Sequence, residues 1–104
     1  MTPISPLPMT NLERWRAVAC DFHSVRWCLE RGTLRPDFEP IDLDRLSKQP
    51  ASRAVKGVFS FLLHCWNSAN RFDLAEIRRW DREHINAFVD WVNGRSTGQP
   101  CHYF

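Results

Sequence analysis

The sequence predicts an all-α protein, a compact bundle of four to five helices around one apolar helix at about residues 51–69. Three observations support this. Apolar side chains in that stretch recur at helical spacing and cover roughly 200° of the helix surface. Capping residues precede the other apolar stretches, and no alternating run is long enough for a sheet. Because one neighbour cannot cover so wide an arc, we expect this helix at the centre with helices on two or more sides.

The composition is that of a globular protein. A chain of 104 residues with 43% hydrophobic and 25% charged residues can build one core without disulfides or metal. Five tryptophans and seven phenylalanines are many for this length, and those the core does not need are expected at an interface. A net charge of +2 is too small to indicate nucleic acid by itself.

The sequence shows no sign of a membrane span or of export. No run approaches the roughly 20 apolar residues of a membrane helix. The N-terminus lacks the basic start and apolar core of a signal peptide. We therefore expect a cytoplasmic protein whose four cysteines are reduced thiols.

The chain divides into an arm, one helical domain and a tail. Residues 1–9 carry three prolines and are expected to be extended. Residues 10–94 form the helical domain. Residues 95–104 show no period, and their aromatic side chains are expected to fold back on the core.

The first helix is predicted to run from about Asn11 to Arg31. Thr10 and Glu13 form a capping box at its start, and Gly32 occupies the position of a left-handed C-cap. Its core face consists of apolar residues at helical spacing, namely Leu12, Trp15, Val18, Phe22, Val25 and Leu29.

Shorter elements are predicted on both sides of the apolar helix. Residues 33–40 form a loop, and residues 42–48 form one or two helical turns. Further on, Asp73 begins a helical stretch, and Gly94 ends the last one. A continuous helix between them would bury the carboxylate of Asp81, so a break at this residue, with Asp81 as N-cap, is favoured.

The sequence predicts no metal site and no cofactor. Structural zinc usually takes ligands in short Cys-x2–4-Cys or His-x3–5-His pairs, and neither spacing occurs among the four cysteines and four histidines. Cys20 and His23 share a helix face, but adjacent residues such as His64 and Cys65 point about 100° apart.

An enzyme is not predicted. The chain has no Gly-x-Ser-x-Gly elbow and no cluster of glycines that could hold a phosphate. Asp81 and His84 are three residues apart and could form a hydrogen-bonded pair. A helix cap followed by a first-turn histidine is the simpler interpretation of that spacing.

Nucleic-acid binding is the alternative function. Residues 42–58 are compatible with a helix-turn-helix-like segment. Further basic residues follow in the C-terminal half. Acidic residues are interleaved with these basic residues, and the second helix is the most apolar stretch of the chain. The candidate residues are Arg53, Lys56, Arg78, Arg79 and Arg82.

By elimination, the sequence predicts a small non-enzymatic module that binds another protein. We expect an adaptor or a stoichiometric inhibitor. Small accessory proteins of bacteria and phages are often of this kind. The candidate surface is the side of the first helix opposite its core face, where tryptophan and arginine, the residues that most often dominate interfaces, occur together. Its residues are Arg16, Cys20, His23, Trp27 and Arg31. This surface meets the partner or a second copy, unless Trp27 packs under the arm or the tail.

Overall fold

The computed structural model describes residues 10–50 and 53–104, with side chains for all of these except 53 and 54. The predicted arm at residues 1–9 and the predicted start of the apolar helix at residues 51–52 lie outside the described residues. Over the described ranges the protein is all-α, as predicted, without a strand. Its helices are α1 (Asn11–Cys20), α2 (His23–Glu30), α3 (Pro40–Ser47), α4 (Arg53–Trp66), a 3₁₀ helix (Leu74–Arg79) and α5 (Arg82–Val92).

The prediction of one helix over residues 11–31 is wrong, because the chain forms two helices there. At Phe22 the backbone is extended, with φ −92° and ψ 121°, so helical geometry stops between α1 and α2. The Phe22 ring is fully buried and packs against the rings of Phe61 and Trp80. Burial of this aromatic ring stabilises the break.

The predicted cap residues stand at helix ends, but at Thr10 the carboxylate of Glu13 accepts the side-chain hydroxyl at 3.2 Å instead of closing the predicted capping box. The hydroxyl of Thr10 accepts the N–H of Glu13 at 3.2 Å, which starts α1. Gly32 and Gly94 have φ of 76° and 75°, the left-handed geometry that ends a helix. A Cβ on Gly94 would lie 2.6 Å from the carbonyl carbon of Gln99, so only glycine fits there.

The short helix α3 begins earlier than predicted, at Pro40 instead of residue 42. Glu39 is its N-cap, and the carboxylate of Asp42 accepts the Glu39 N–H at 2.8 Å. Asp42 therefore closes a capping box from the third helical position instead of standing before the helix. The loop preceding α3 buries Leu34 and Phe38.

Helix α4 packs against α1, α3 and the 3₁₀ helix. The indole N–H of Trp15 in α1 donates to the carbonyl of Leu62 at 2.8 Å. The helix ends at Trp66, before the predicted residue 69, and Asn70 then donates from its side chain to the carbonyl of Leu63 at 3.1 Å. Its buried apolar residues are Val58, Phe59, Phe61, Leu62 and Cys65.

The C-terminal helices are separated at the predicted place. Asp73 caps a 3₁₀ helix by accepting the N–H of Ala75 at 2.9 Å. The chain then becomes extended at Trp80, and Asp81 caps α5 by accepting the N–H of His84 at 2.9 Å.

The tail folds back on the helices, as expected. The N–H of Phe104 donates to the carbonyl of Cys65 at 2.8 Å, and the indole N–H of Trp91 donates to the carbonyl of His102 at 2.8 Å. None of the helices described is both long and apolar enough to cross a bilayer.

Candidate functional site

Two neighbouring features lie around the beginning of α2. The first is an apolar groove between α2, the end of α3 and α4. The second is a polar cluster in which α2 meets the start of α5, and we define it as His23, Ser24, Asp81 and His84. His23 and Ser24 belong to both, so the two features are contiguous.

The groove has a volume of about 510 Å³. Its apolar lining comes from Trp27 on α2, Leu46 on α3, and Val55 and Phe59 on α4. A concave, mainly apolar surface with a few polar groups is the usual form of a binding site.

Trp27 is the exposed aromatic residue of the groove. Its side chain is 54% exposed, and the guanidinium of Arg31 lies 4.4 Å from its ring centroid. Within the described ranges Arg31 forms no ion pair, so this cation–π contact is its principal interaction there. The tail contacts α4 and α5 instead, so Trp27 does not pack under it.

The five residues predicted to form one binding surface do not lie on one helix, because the break at Phe22 separates α1 from α2. Arg16 donates to the carbonyls of Phe38 and Asp37 at 2.6 and 2.7 Å and thereby holds the loop before α3. Cys20 is half-buried against the core. Two residues of the predicted surface, His23 and Trp27, line the groove, and Arg31 lies over the ring of Trp27.

His84 is the buried centre of the polar cluster, with 3% exposure. Its Nε2 lies 2.6 Å from the hydroxyl of Ser24. Its Nδ1 lies 2.9 Å from Oδ1 of Asp81, yet this pair does not have the direction of a hydrogen bond. Among the described residues, Nδ1 of His84 is therefore a buried nitrogen without a hydrogen-bond partner.

His23 completes the cluster from α2. Its Nε2 lies 2.9 Å from Oδ2 of Asp81, and its ring stacks on that of His84 with centroids 3.9 Å apart. A second carboxylate, that of Glu83, lies 4.0 Å from the same nitrogen. Two imidazoles and two carboxylates thus converge at the start of α5.

The environment shifts two pKa values in the cluster. The backbone N–H of His84 and, less strongly, the ring of His23 lower the pKa of Asp81 to about 2. Burial, followed by the neighbouring charge of His23, lowers the pKa of His84. Near neutral pH the cluster therefore combines an ionised carboxylate with a neutral buried imidazole.

The ring of His84 lies between the hydroxyl of Ser24 and the carboxylate of Asp81, as in the triad of a serine hydrolase. The burial of the serine and the direction of the carboxylate differ from those of an activated nucleophile. Ser24 is only 6% exposed, although it borders the groove. The side chain of Asp81 is 55% exposed and is not aligned with Nδ1 of His84, so it does not orient that ring as a triad carboxylate does.

Sequence reasoning recognised the Asp81–His84 spacing but missed Ser24 and the contact between the two histidines. The contacts of His23 and Ser24 with α5 span 58 and 60 residues of sequence. Patterns among neighbouring residues in the sequence do not indicate contacts between residues so far apart. The Asp-x-x-His spacing is the one clue that the chain itself offered.

Two of the alternative nucleic-acid residues, Lys56 and Arg79, lie beside acidic side chains. Lys56 borders a second groove together with Asp73 and Glu76, and Arg79 lies 3.7 Å from Glu76. Arg78 and Arg82 are exposed, and the side chain of Arg53 lies outside the description. Acidic side chains thus offset the charge of this region.

The chain was compared with protein-family models, with curated proteins and with solved structures, and none of the three comparisons finds a match.

Proposed function

We propose that this chain is a small, non-enzymatic protein-interaction module, an adaptor or a stoichiometric inhibitor, that binds an apolar segment of another protein in the groove. The exposure of Trp27 beside the groove is the observation that carries the proposal. Tryptophan supplies a large contact area at low entropic cost, and Arg31 on its face adds a cation that can meet a carboxylate of the partner.

The proposed occupant is a different protein. A second copy of this chain would need an apolar ridge that fits the groove. Apart from Trp27, the large apolar side chains exposed in the described ranges lie singly on α3, the 3₁₀ helix, α5 and the tail, namely Ile41, Leu74, Val89 and Tyr103. Single exposed residues of this kind are ordinary surface and form no ridge.

The absence of catalysis is part of the proposal. The burial of Ser24 and the misaligned carboxylate of Asp81 support it. Incubation with an excess of a fluorophosphonate should leave the mass of the protein unchanged, because an unactivated serine does not react. Covalent labelling of Ser24 would contradict this part of the proposal.

We also propose that α4 is the centre of the bundle and that the protein works in the cytoplasm. The buried side chains of α4 and its contacts with three helices support the first statement. Four free thiols support the second.

The experiment compares three forms of the protein as baits in a lysate of the native host: wild type, Trp27→Ala and Val89→Ala. Val89 is 43% exposed on α5 and is not part of the groove, so it is the matched control. A partner should be captured by wild type and Val89→Ala and lost with Trp27→Ala. With the purified partner, Trp27→Ala should cost about 2 kcal/mol or more, roughly 30-fold in Kd.

Three outcomes would contradict the proposal. Equal capture by Trp27→Ala would place the interface elsewhere. A concentration-dependent dimer in sedimentation velocity, lost in Trp27→Ala, would identify a second copy as the occupant. Loss of every captured protein after nuclease treatment would favour the nucleic-acid regulator.

A further inference from the structure

We propose that His23, Asp81 and His84 form a binding site for one late first-row divalent metal ion, with Zn²⁺ as the representative. One ligand atom from each residue lies within 4.8 Å of the others. The site adjoins the groove, with which it shares His23, but the proposal does not rest on the function of the groove.

The buried nitrogen of His84 is the observation that points to a ligand. A buried polar atom without a partner costs free energy, and native proteins rarely leave one. Nδ1 of His84 is such an atom within the described ranges, and it faces the carboxylate of Asp81 at 2.9 Å. A cation between nitrogen and carboxylate would satisfy both groups at once.

Ser24 supports the metal-binding tautomer of His84. With the proton on Nε2, the ring donates to the hydroxyl of Ser24 across 2.6 Å, and the lone pair of Nδ1 is free for the ion. Metal-binding histidines usually donate their second ring nitrogen in this way, which fixes the orientation of the ring.

The carboxylate already lies close to both rings, but the two rings must move before all three residues can reach one ion. Ligand atoms about 2.0–2.1 Å from a tetrahedral ion lie roughly 3.3 Å apart. Both histidine nitrogens lie 2.9 Å from Asp81. The stacked rings must open so that both lone pairs reach one ion, and the side chain of His23, 36% exposed, has room to turn. Ser24 holds His84 in place.

The donor set selects the class of ion. Two imidazoles with one carboxylate suit zinc and neighbouring ions, whereas Mg²⁺ and Ca²⁺ prefer oxygen ligands alone. The carboxylate of Glu83, 4.0 Å from Nε2 of His23, could complete the shell together with water. This proposal departs from the sequence-based expectation of no metal, which depended on the absence of the usual zinc-ligand spacings.

The test measures zinc binding to the chelator-stripped full chain by competition with a chromophoric chelator, and Co²⁺ binding by its visible absorption. The wild type should bind one ion per chain, and Zn²⁺ should raise its melting temperature. His23→Ala and Asp81→Asn should each weaken binding by about tenfold or more. Asp81→Asn can still cap α5, so its loss of affinity would not reflect unfolding.

The other two histidines provide the controls. His64→Ala and His102→Ala should bind Zn²⁺ like the wild type, and Ser24→Ala should weaken binding by about tenfold through the orientation of His84. The proposal is overturned if the wild type binds no zinc, if His23→Ala and Asp81→Asn bind as tightly as the wild type, or if His102→Ala with Cys101→Ser abolishes binding.

Discussion

Trp80 lies directly on Gly57. A Cβ built on this glycine would meet the indole nitrogen of Trp80 at 3.0 Å. Trp80 is itself only 5% exposed. Its ring is enclosed by the aromatic rings of Phe22, Phe61, Phe72, His84 and Phe88. The segment after the 3₁₀ helix approaches α4 this closely because position 57 has no side chain.

Gly57→Ala should therefore destabilise the protein, although alanine favours a helix. Overpacking destabilises by about 1–3 kcal/mol, and the higher helix propensity of alanine stabilises by about 1 kcal/mol. We therefore expect the free energy of unfolding, measured in urea, to fall by roughly 1 kcal/mol. Asn86→Ala, on the exposed side of α5, is the control and should be neutral or slightly stabilising. In a Trp80→Phe background Gly57→Ala should cost less, and strictly additive effects would show that the two residues do not compete for space.

Leu62→Ala should cost about 2–5 kcal/mol, because it leaves a cavity in α4 that the surrounding helices cannot close fully. Leu62 is fully buried, whereas the control Leu74 is 67% exposed on the 3₁₀ helix. Leu74→Ala should change the free energy of unfolding by less than about 0.5 kcal/mol. Equal effects of the two substitutions would show that α4 is not the core element proposed above.

Asp81→Ala should destabilise the metal-free protein by about 0.5–2 kcal/mol, because the N–H of His84 loses its acceptor. Asp81→Asn should be mild, since the amide oxygen can still accept that N–H. The comparison is made by thermal unfolding in EDTA. If both substitutions are equally harmful, the carboxylate charge of Asp81 matters more than the cap.

The stability of the metal-free protein should fall as the pH drops below 6.5 because of His84. Its pKa is lowered from 6.5 in the folded protein, by burial first and by His23 second, against the opposite effect of Asp81 and Glu83. Below pH 6.5 the unfolded chain therefore binds the proton before the folded protein does, and stability is lost as the pH falls through the folded pKa. Melting temperatures in EDTA should show a shallower decline for His84→Gln, and parallel declines would contradict this assignment.

The candidate site was only partly predictable. Sequence reasoning selected Trp27 because tryptophan beside arginine suggests an interface, and the structure leaves Trp27 exposed beside a groove. It also selected Arg16, which instead donates to two loop carbonyls. The two carbonyl groups belong to residues 21 and 22 positions further along the chain, so a helical projection could not show the contact.

The sequence by itself determined the all-α class, the cap at Thr10, the break before Asp81 and the buried stripe of α4. Each depends on residues within about four positions of one another, a range that helical periodicity and capping chemistry govern directly. Only the tertiary structure decided that Phe22 interrupts the first helix, that Trp80 covers Gly57 and that Ser24 meets His84. Those features arise from the packing of segments far apart in the chain, and side-chain shape and burial in the assembled core, rather than local propensity, select them.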